Sequence, residues 1–174
     1  KVFNVVASLP VTLGYIPVGT NPLANVLGIP SEEKACDVLS QRIIERIDLG
    51  KVNDHYFFSL LEVPKAEQVM IECNRTFRIH PRRFNESIQI CNLGEVFRGR
   101  CDEMHNPHDG KLEAMFHTTK RKRLRSSHQL DSVFSVKEMK IFSREKAVTL
   151  FADGETPIST PAASISARHS GSES

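Results

Sequence analysis

The sequence predicts an α+β fold that is mostly β, with helices in its first part and an antiparallel β-sandwich after them. This prediction rests on a change of hydrophobic period near Asp48. Before Asp48 the apolar residues recur at helical spacing, whereas after it short β-branched or aromatic segments alternate with turn signals. Roughly six or seven strands at such spacing are typical of an antiparallel sandwich.

The composition is that of an ordinary globular protein. The 174 residues are 40% hydrophobic and 25% charged, which suffices for one core or for two small ones. The net charge of +2 and the pI near 8.4 are too small to predict nucleic-acid binding from charge balance. No apolar run approaches the roughly 20 residues that cross a bilayer, and no signal peptide opens the chain. We therefore expect a cytoplasmic protein whose membrane contact, if any, is peripheral.

The cysteines and histidines predict no disulfide framework and no zinc site. The four cysteines form no C-x-x-C pair and have no histidine at zinc spacing, which favours a reduced compartment and structural or idle thiols. His105 and His108 lie three residues apart without a third ligand, which is weak evidence for zinc. The cysteines are Cys36, Cys73, Cys91 and Cys101.

The stretch LGYIPVGTNPLANVLGIP, residues 13–30, predicts a strand, a turn and a helix start in succession. The strand, Gly14–Ile16, ends before Pro17, which has no amide hydrogen for a sheet. Gly19 can adopt backbone angles closed to other residues, Thr20 supplies a hydroxyl, and Asn21 followed by proline is typical of a helix N-cap. Amides at such a helix start can bind an anion. Most turns of this kind bind nothing, so both interpretations stay open.

Two further helices are expected before Asp48. The apolar residues of Lys1–Leu9, KVFNVVASL, suit a helix packed on a sheet. A surface helix should begin at Ser31 as N-cap, because glutamates follow in the first turn and Ala35, Leu39 and Ile43 are four residues apart.

Short segments from His55 onward have the composition of strands. The tail from Ser159 is expected to dock one more strand before it frays. The predicted strand segments are HYFFSLLEV, QVMIECN, TFRIH, ESIQICNLG, LEAMFHT, SVFSVKEMKIFS and AVTLFADGE.

Two turns between these strands carry acidic residues. Asn106–Leu112, NPHDGKL, has the Pro-x-Asp-Gly arrangement of a plain turn. Phe151–Pro157, FADGETP, contains Asp-Gly, the commonest short hairpin signal. Turn chemistry alone does not separate structural turns from functional ones here.

Three blocks in order, GTN, PHDGKL and ADGE, resemble motifs of the diacylglycerol and sphingosine lipid kinase family. IPVGTNPLANVLGIP is similar to that family's P-x-G-T-x-N-D-F-A-R-x-L-G-I segment, with one residue deleted inside the turn. Pro22 and Asn25 replace the family's Asp and Arg. Residues 47–50, IDLG, resemble a strand of the family, whereas the segment between Phe58 and Asn92 is shorter than in the family.

The resemblance implies two domains. Residues 1–47 would be a remnant of an α/β nucleotide-binding domain, and residues 48–174 a β-sandwich lipid-substrate domain with a C-terminal tail. The family's G-G-D-G-T loop is absent, because the chain begins where that loop would end. We therefore expect a fragment, a truncated reading frame or a protein that has lost its first nucleotide-binding half.

The resemblance also implies roles for single residues. Gly19, Thr20 and Asn21 would bind ATP, the co-substrate. The carboxylate of Asp109 and the backbone carbonyls of Asn106 and Lys111 would hold a structural Mg²⁺, which prefers hard oxygen ligands. Asp153 and Glu155 would serve the transfer of the γ-phosphate to a lipid hydroxyl, with Glu155 favoured as the base and Asp153 as its metal or network partner. These expected site residues are Gly19, Thr20, Asn21, Asn106, Asp109, Lys111, Asp153 and Glu155.

A basic run suggests how such an enzyme would reach a lipid. Most runs of this kind are solvated loops, but this one would also be attracted to an anionic membrane surface. It contains no interleaved aromatic residues, so nucleic acid is not expected as a partner. A homodimer is left open. The basic residues are Lys120, Arg121, Lys122, Arg123 and Arg125.

Two functions from different classes follow. One is an ATP-dependent lipid kinase, of which this chain is the C-terminal portion. The other is a noncatalytic β-sandwich module for binding or interaction that has lost the nucleotide loop.

Overall fold

The computed structural model describes ten ranges of the chain. The helix expected at Lys1–Leu9 and the cap at Asn21 lie mostly outside them. The described residues are 5–7, 9, 11–19, 24–25, 27–81, 86–93, 108–122, 125–144, 147–154 and 157–168.

Within these ranges the chain forms a helix of eight residues, α1 (Glu33–Ser40), helical residues at positions 5–6 and 24–25, and strands that account for most of the remainder. A short 3₁₀ turn, Ala66–Gln68, connects the third strand to the fourth. The strands are β1 (Leu49–Val52), β2 (His55–Phe57), β3 (Leu60–Val63), β4 (Val69–Cys73), β5 (Phe77–Ile79), β6 (Glu86–Cys91), β7 (Leu112–Lys122), β8 (Arg125–Val136), β9 (Glu138–Ser143), β10 (Val148–Ala152), β11 (Pro157–Thr160) and β12 (Ala162–Arg168).

The strands form two six-stranded sheets, in which every described pairing is antiparallel. The first sheet has the order β2-β1-β12-β9-β4-β5, and the second has the order β11-β10-β3-β6-β7-β8. The predicted fold class, mostly β with an antiparallel sandwich, is therefore confirmed.

One hydrophobic core joins the two sheets. Successive side chains of a strand point to opposite faces, and β4 shows the expected alternation of buried and half-buried residues. The first sheet contributes Val52, Phe57, Val69, Ile71, Cys73, Met139, Ile141, Ala163 and Ile165 to the core, and the second contributes Leu61, Val63, Ile88, Ile90, Leu112, Ala114, Val136, Val148 and Leu150.

The N-terminal region departs from prediction. The strand expected at Gly14–Ile16 was wrong, because residues 11–18 form no strand and no described strand lies beside them to accept their hydrogen bonds. Helix α1 begins after Glu32 rather than with Ser31 as N-cap, and it ends at Ser40. Ile43 therefore lies beyond the helix and is 66% exposed, so the apolar face predicted from it was too long.

The strand count was also too low. The segment HYFFSLLEV divides into β2 and β3, and SVFSVKEMKIFS divides at Lys137 between β8 and β9. In both cases the two halves belong to different sheets. The tail supplies two strands, β11 and β12, rather than one.

Candidate functional site

Four strand ends of the second sheet come together at one edge, which we name the turn edge. In the sheet order, β10 ends beside the start of β3, β3 starts beside the end of β6, and β6 ends beside the start of β7. Because neighbouring strands lie about 4.8 Å apart, the turns after β10 and before β7 are separated by roughly 14 Å of sheet. Antiparallel pairing thus places the Asp153 turn and the Asp109 turn at the same edge.

The carboxylate of Asp153 organises the short loop between β2 and β3. Its Oδ2 accepts a hydrogen bond of 2.8 Å from the amide of Phe58. Its Oδ1 accepts from the amide of Ser59 at 2.9 Å, from the Ser59 hydroxyl at 3.1 Å and from the amide of Leu60 at 3.0 Å. Both oxygens of Asp153 therefore serve as acceptors within the fold.

The backbone of the same turn explains its two residue types. Asp153 and the following Gly154 have φ values of +51° and +70°, in the left-handed region that aspartate tolerates and glycine favours. The amide of Asp153 donates to the carbonyl of Leu60 at 2.7 Å, which closes the turn against β3. The Asp-Gly pair is thus required by the turn geometry, as its hairpin signal indicates.

The Asp109 turn is held by a second, buried carboxylate. Asp48 is 0% exposed, and its Oδ2 accepts a hydrogen bond of 2.6 Å from the amide of Gly110. Gly110 has a φ of +67°, and the Nδ1 atom of His108 lies 2.6 Å from the carbonyl oxygen of Arg46. The chain that enters β1 therefore fixes the turn that enters β7.

Asp109 itself points toward its own turn. Its Oδ1 accepts from the amide of Lys111 at 3.0 Å, and its Oδ2 lies 3.7 Å from the Lys111 ammonium. Its side chain is 28% exposed, so solvent reaches it. The described residues contain no group of three or more metal-ligating side chains. A Mg²⁺ ion at this turn, with the Asp109 carboxylate as one hard oxygen ligand, stays a prediction.

Asn92 connects the two turns. The side chain is 1% exposed and lies directly after β6. Its Nδ2 atom donates to the carbonyl oxygen of Asp48 at 2.7 Å and to that of Phe58 at 3.0 Å. Its backbone amide donates to the carbonyl of Ser59 at 3.0 Å. One side chain thus contacts the segments that hold both turns.

Other expected site residues are only partly placed. Gly19 has a positive φ of +70°, a conformation that glycine readily adopts. Thr20, Asn21, Asn106 and Glu155 lie outside the described residues. The backbones of Lys120, Arg121, Lys122 and Arg125 flank the β7–β8 connection, and Arg123 lies outside the described residues.

The basic run and the turn edge lie at opposite ends of the second sheet. β7 starts at the turn edge with Leu112 and ends with Lys122 after 11 residues. At about 3.4 Å per residue, the basic end of the β7–β8 hairpin is roughly 35 Å from the turn edge. The basic run therefore does not border the turn edge.

The sequence alone indicates no functional role for Asp48, Ser59 or Asn92. Asp48 marks the change of hydrophobic period and lies in the IDLG motif, and Asn92 lies in a predicted strand at the end of the shortened segment. These polar residues lie within apolar segments, and this is the feature of the sequence that could have indicated a structural role, since a buried polar side chain requires hydrogen-bond partners. Which partners they bond depends on contacts between residues far apart in sequence.

The described cysteines form no disulfide with one another, and one of their thiols is chemically shielded. Cys73 and Cys91 are buried, and Cys36 is exposed. Burial raises the pKa of the Cys73 thiol from 9.0 to about 11, because the thiolate would lose its hydration.

No helix in the described ranges has the length and apolar character needed to cross a membrane.

The curated proteins that this chain resembles in sequence are named diacylglycerol kinase. No family model matches the chain. A diacylglycerol kinase of Staphylococcus saprophyticus is 36% identical over 76 residues, which are 41% of this chain and 25% of that protein. A diacylglycerol kinase of Staphylococcus carnosus is 29% identical over 103 residues, 50% of this chain and 34% of that protein. The matches thus span about a quarter to a third of these relatives.

Comparison with solved structures extends the likeness over the fold. A diacylglycerol kinase from Bacillus anthracis superposes with a TM-score of 0.68 at 17% identity, covering 95% of this chain and 67% of that one. A second structure, described as a putative diacylglycerol kinase from the same organism, gives 0.70 at 16% identity with 95% and 68% coverage. The sequence relatives confirm the resemblance to the diacylglycerol kinase-like lipid kinases, and the solved structures show that the chain shares their fold.

Proposed function

We propose that this chain is the C-terminal portion of an ATP-dependent lipid kinase that transfers the γ-phosphate of ATP to the hydroxyl of a diacylglycerol-like lipid. The observation that carries the proposal is the turn edge, where an Asp-Gly turn and a second acidic turn are brought to one edge of the sheet and anchored by part-buried hydrogen bonds. The relatives named diacylglycerol kinase support it. No finding favours the noncatalytic module.

Phosphoryl transfer depends mainly on positioning and charge neutralisation, with one carboxylate placed to take the hydroxyl proton. We assign that proton to Glu155 and assign Asp153 to positioning. The hydrogen bonds from Phe58, Ser59 and Leu60 engage both oxygens of Asp153, so this carboxylate already positions the loop between β2 and β3. Glu155 follows two residues later in the chain and is the remaining carboxylate of the ADGE block.

The same proposal assigns the other expected roles. Gly19, with Thr20 and Asn21, would contact the phosphates of ATP through backbone amides, as its positive φ allows. Asp109, with the carbonyls of Asn106 and Lys111, would hold a Mg²⁺ that stiffens its turn. The lipid would be taken from a membrane surface, with the basic residues 120–125 contributing long-range attraction to anionic lipid rather than substrate contacts.

The test compares two carboxylate variants in the chain completed by a nucleotide-binding half. Glu155→Gln keeps shape and hydrogen bonding but removes the proton acceptor, so kcat should fall about a hundredfold to ten-thousandfold with stability unchanged. Asp153→Asn should lower kcat and stability together, because it weakens the anchor of the turn.

Turnover is measured on diacylglycerol, ceramide and sphingosine with each variant. A wild-type enzyme inactive on all three lipids would contradict the proposed function. A Glu155→Gln enzyme within threefold of wild type would contradict the base assignment alone.

A further inference from the structure

The side chain of Asn92 is a buried amide that uses only its donor side. Its Nδ2 donates two hydrogen bonds, whereas its Oδ1 is buried without a partner among the described residues. Both acceptors are backbone carbonyl oxygens, which cannot donate, so the amide nitrogen must face them. The orientation of Asn92 is therefore determined by the two segments that it joins.

The two acceptors lead to different turns. Asp48, whose carbonyl accepts one bond, holds the Gly110 amide through its own carboxylate at 2.6 Å. Phe58, whose carbonyl accepts the other, donates its amide to Asp153 at 2.8 Å. A continuous path thus runs from Gly110 through Asp48, Asn92 and Phe58 to Asp153.

We propose that Asn92 is a positioning residue that couples the Asp109 turn to the Asp153 turn, so that a change at one turn alters the stability of the other. The path also crosses between the sheets, because Asp48 leads into β1 of the first sheet and Phe58 leads into β3 of the second. The two hydrogen bonds of Asn92 at the centre of this path are buried, and such bonds are strong in a low dielectric and costly to leave unmade, so the path can carry coupling.

The coupling would serve the proposed kinase by keeping the metal turn and the catalytic turn in one geometry, and that consequence rests on the proposed function. The coupling itself does not need catalysis. Its test therefore uses amide hydrogen exchange by NMR on the chain as it is, and an inactive enzyme would leave the result unaffected.

The first measurement perturbs one turn and observes the other. Asp153→Asn should speed exchange of the amides of Phe58 and Leu60, which it contacts directly. If Asn92 couples the turns, the Gly110 amide should also exchange faster by about twofold or more, the lower end of the range for coupled residues. Exchange is expressed relative to the amide of Ile141, in the core of the first sheet, to remove any change in global stability.

The second measurement removes the path. Asn92→Ser deletes the amide donors, and in that background Asp153→Asn should no longer change exchange at Gly110. The matched control is Asn53→Ser, since Asn53 also bonds two backbone groups, of Ala162 and Ser164, but contacts neither turn. In the control background the response at Gly110 should persist.

Two outcomes would overturn the proposal. In the first, Asp153→Asn leaves the exchange rate of Gly110, relative to Ile141, unchanged. This outcome can be observed even if Asn92→Ser does not fold. The other is a Gly110 response that is the same with serine at position 92 as with asparagine.

Discussion

At the scale of single residues, Asp153 illustrates how a side chain expected at a catalytic site can be committed to the fold. It receives three backbone amides and one hydroxyl from the loop between β2 and β3. Hydrogen bonds to a charged acceptor contribute about 1.5–3 kcal/mol each, and a buried donor that loses its acceptor destabilises the fold. A catalytic role for Asp153 stays a prediction, and a structural role is visible in its contacts.

We expect Asp153→Asn to lower the free energy of unfolding by about 2 kcal/mol or more, because the amide cannot accept all four donors. For a chain of this length that corresponds to a fall in Tm of about 4–8 °C. The control is Asp54→Asn, an exposed aspartate in the turn between β1 and β2. Thermal unfolding that shows equal, small losses for both variants would contradict the anchoring role.

Cys73 gives a prediction for alkaline pH. Its folded pKa of about 11 is above the 9.0 of an ordinary thiol, so between these values the folded state keeps a proton that the unfolded chain loses. The stability that this proton contributes is complete below pH 9 and is lost as pH rises to about 11. The free energy of unfolding of the wild type should therefore fall over this window relative to Cys73→Ala.

Urea unfolding at several pH values from 8 to about 11 measures this difference. Cys36→Ala, which removes an exposed thiol, should keep the pH dependence of the wild type. Parallel curves for wild type and Cys73→Ala would show that the buried thiol does not contribute.

At the scale of elements, β1 and β2 form a hairpin in which a glycine makes room for an aromatic ring. Gly50 lies directly opposite Phe57, which is 0% exposed. A Cβ atom at position 50 would lie 2.1, 2.3 and 2.5 Å from three ring carbons of Phe57. Gly50 does not have a left-handed φ, so the glycine of IDLG is required by packing against the ring rather than by its backbone conformation.

Gly50→Ala should lower the free energy of unfolding by about 1–3 kcal/mol, the usual cost of overpacking. The loss should be much smaller in a Phe57→Leu background, where the ring is absent. Gly154→Ala is the contrast, because its cost comes from φ and an added Cβ meets nothing within 4 Å. Chemical denaturation of the double variants checks this, and a Gly154→Ala loss that Phe57→Leu relieves would contradict the explanation.

The β7–β8 hairpin is the second element with a testable property. Replacing Lys120, Arg121 and Lys122 with glutamine should weaken binding to anionic vesicles by about fivefold per residue, since each basic residue near a charged leaflet contributes about 1 kcal/mol. Vesicle sedimentation with phosphatidylglycerol measures this effect. Arg75, Arg78 and Lys140, on the first sheet, are replaced in the control. Equal losses in both variants would attribute the attraction to net charge rather than to the hairpin.

At the scale of the whole molecule, the two sheets share one core, so a ligand that stiffens a turn should raise the stability of the entire sandwich. We expect Mg²⁺ to raise the Tm of the wild type and to have little effect on Asp109→Asn. This variant keeps the oxygen that accepts the Lys111 amide but loses the charge. In chelator the two proteins should melt at similar temperatures.

Differential scanning calorimetry in Mg²⁺ and in chelator makes the comparison. Asp54→Asn serves again as the control that keeps the Mg²⁺ response. A Mg²⁺ response retained in full by Asp109→Asn would place the metal elsewhere.

The sequence by itself determined the fold class, the strand composition after Asp48 and the position of the two acidic turns, because these depend on local periodicity and turn chemistry. The strand predicted at Gly14–Ile16 failed because a strand needs a neighbour, which an apolar run cannot supply alone. Only the tertiary structure divided SVFSVKEMKIFS between two sheets and brought Asp48, Asn92 and Asp153 into one hydrogen-bonded path. Asp48 and Asp153 are more than a hundred residues apart in sequence, so their connection through Asn92 depends on strand order, which no local pattern encodes.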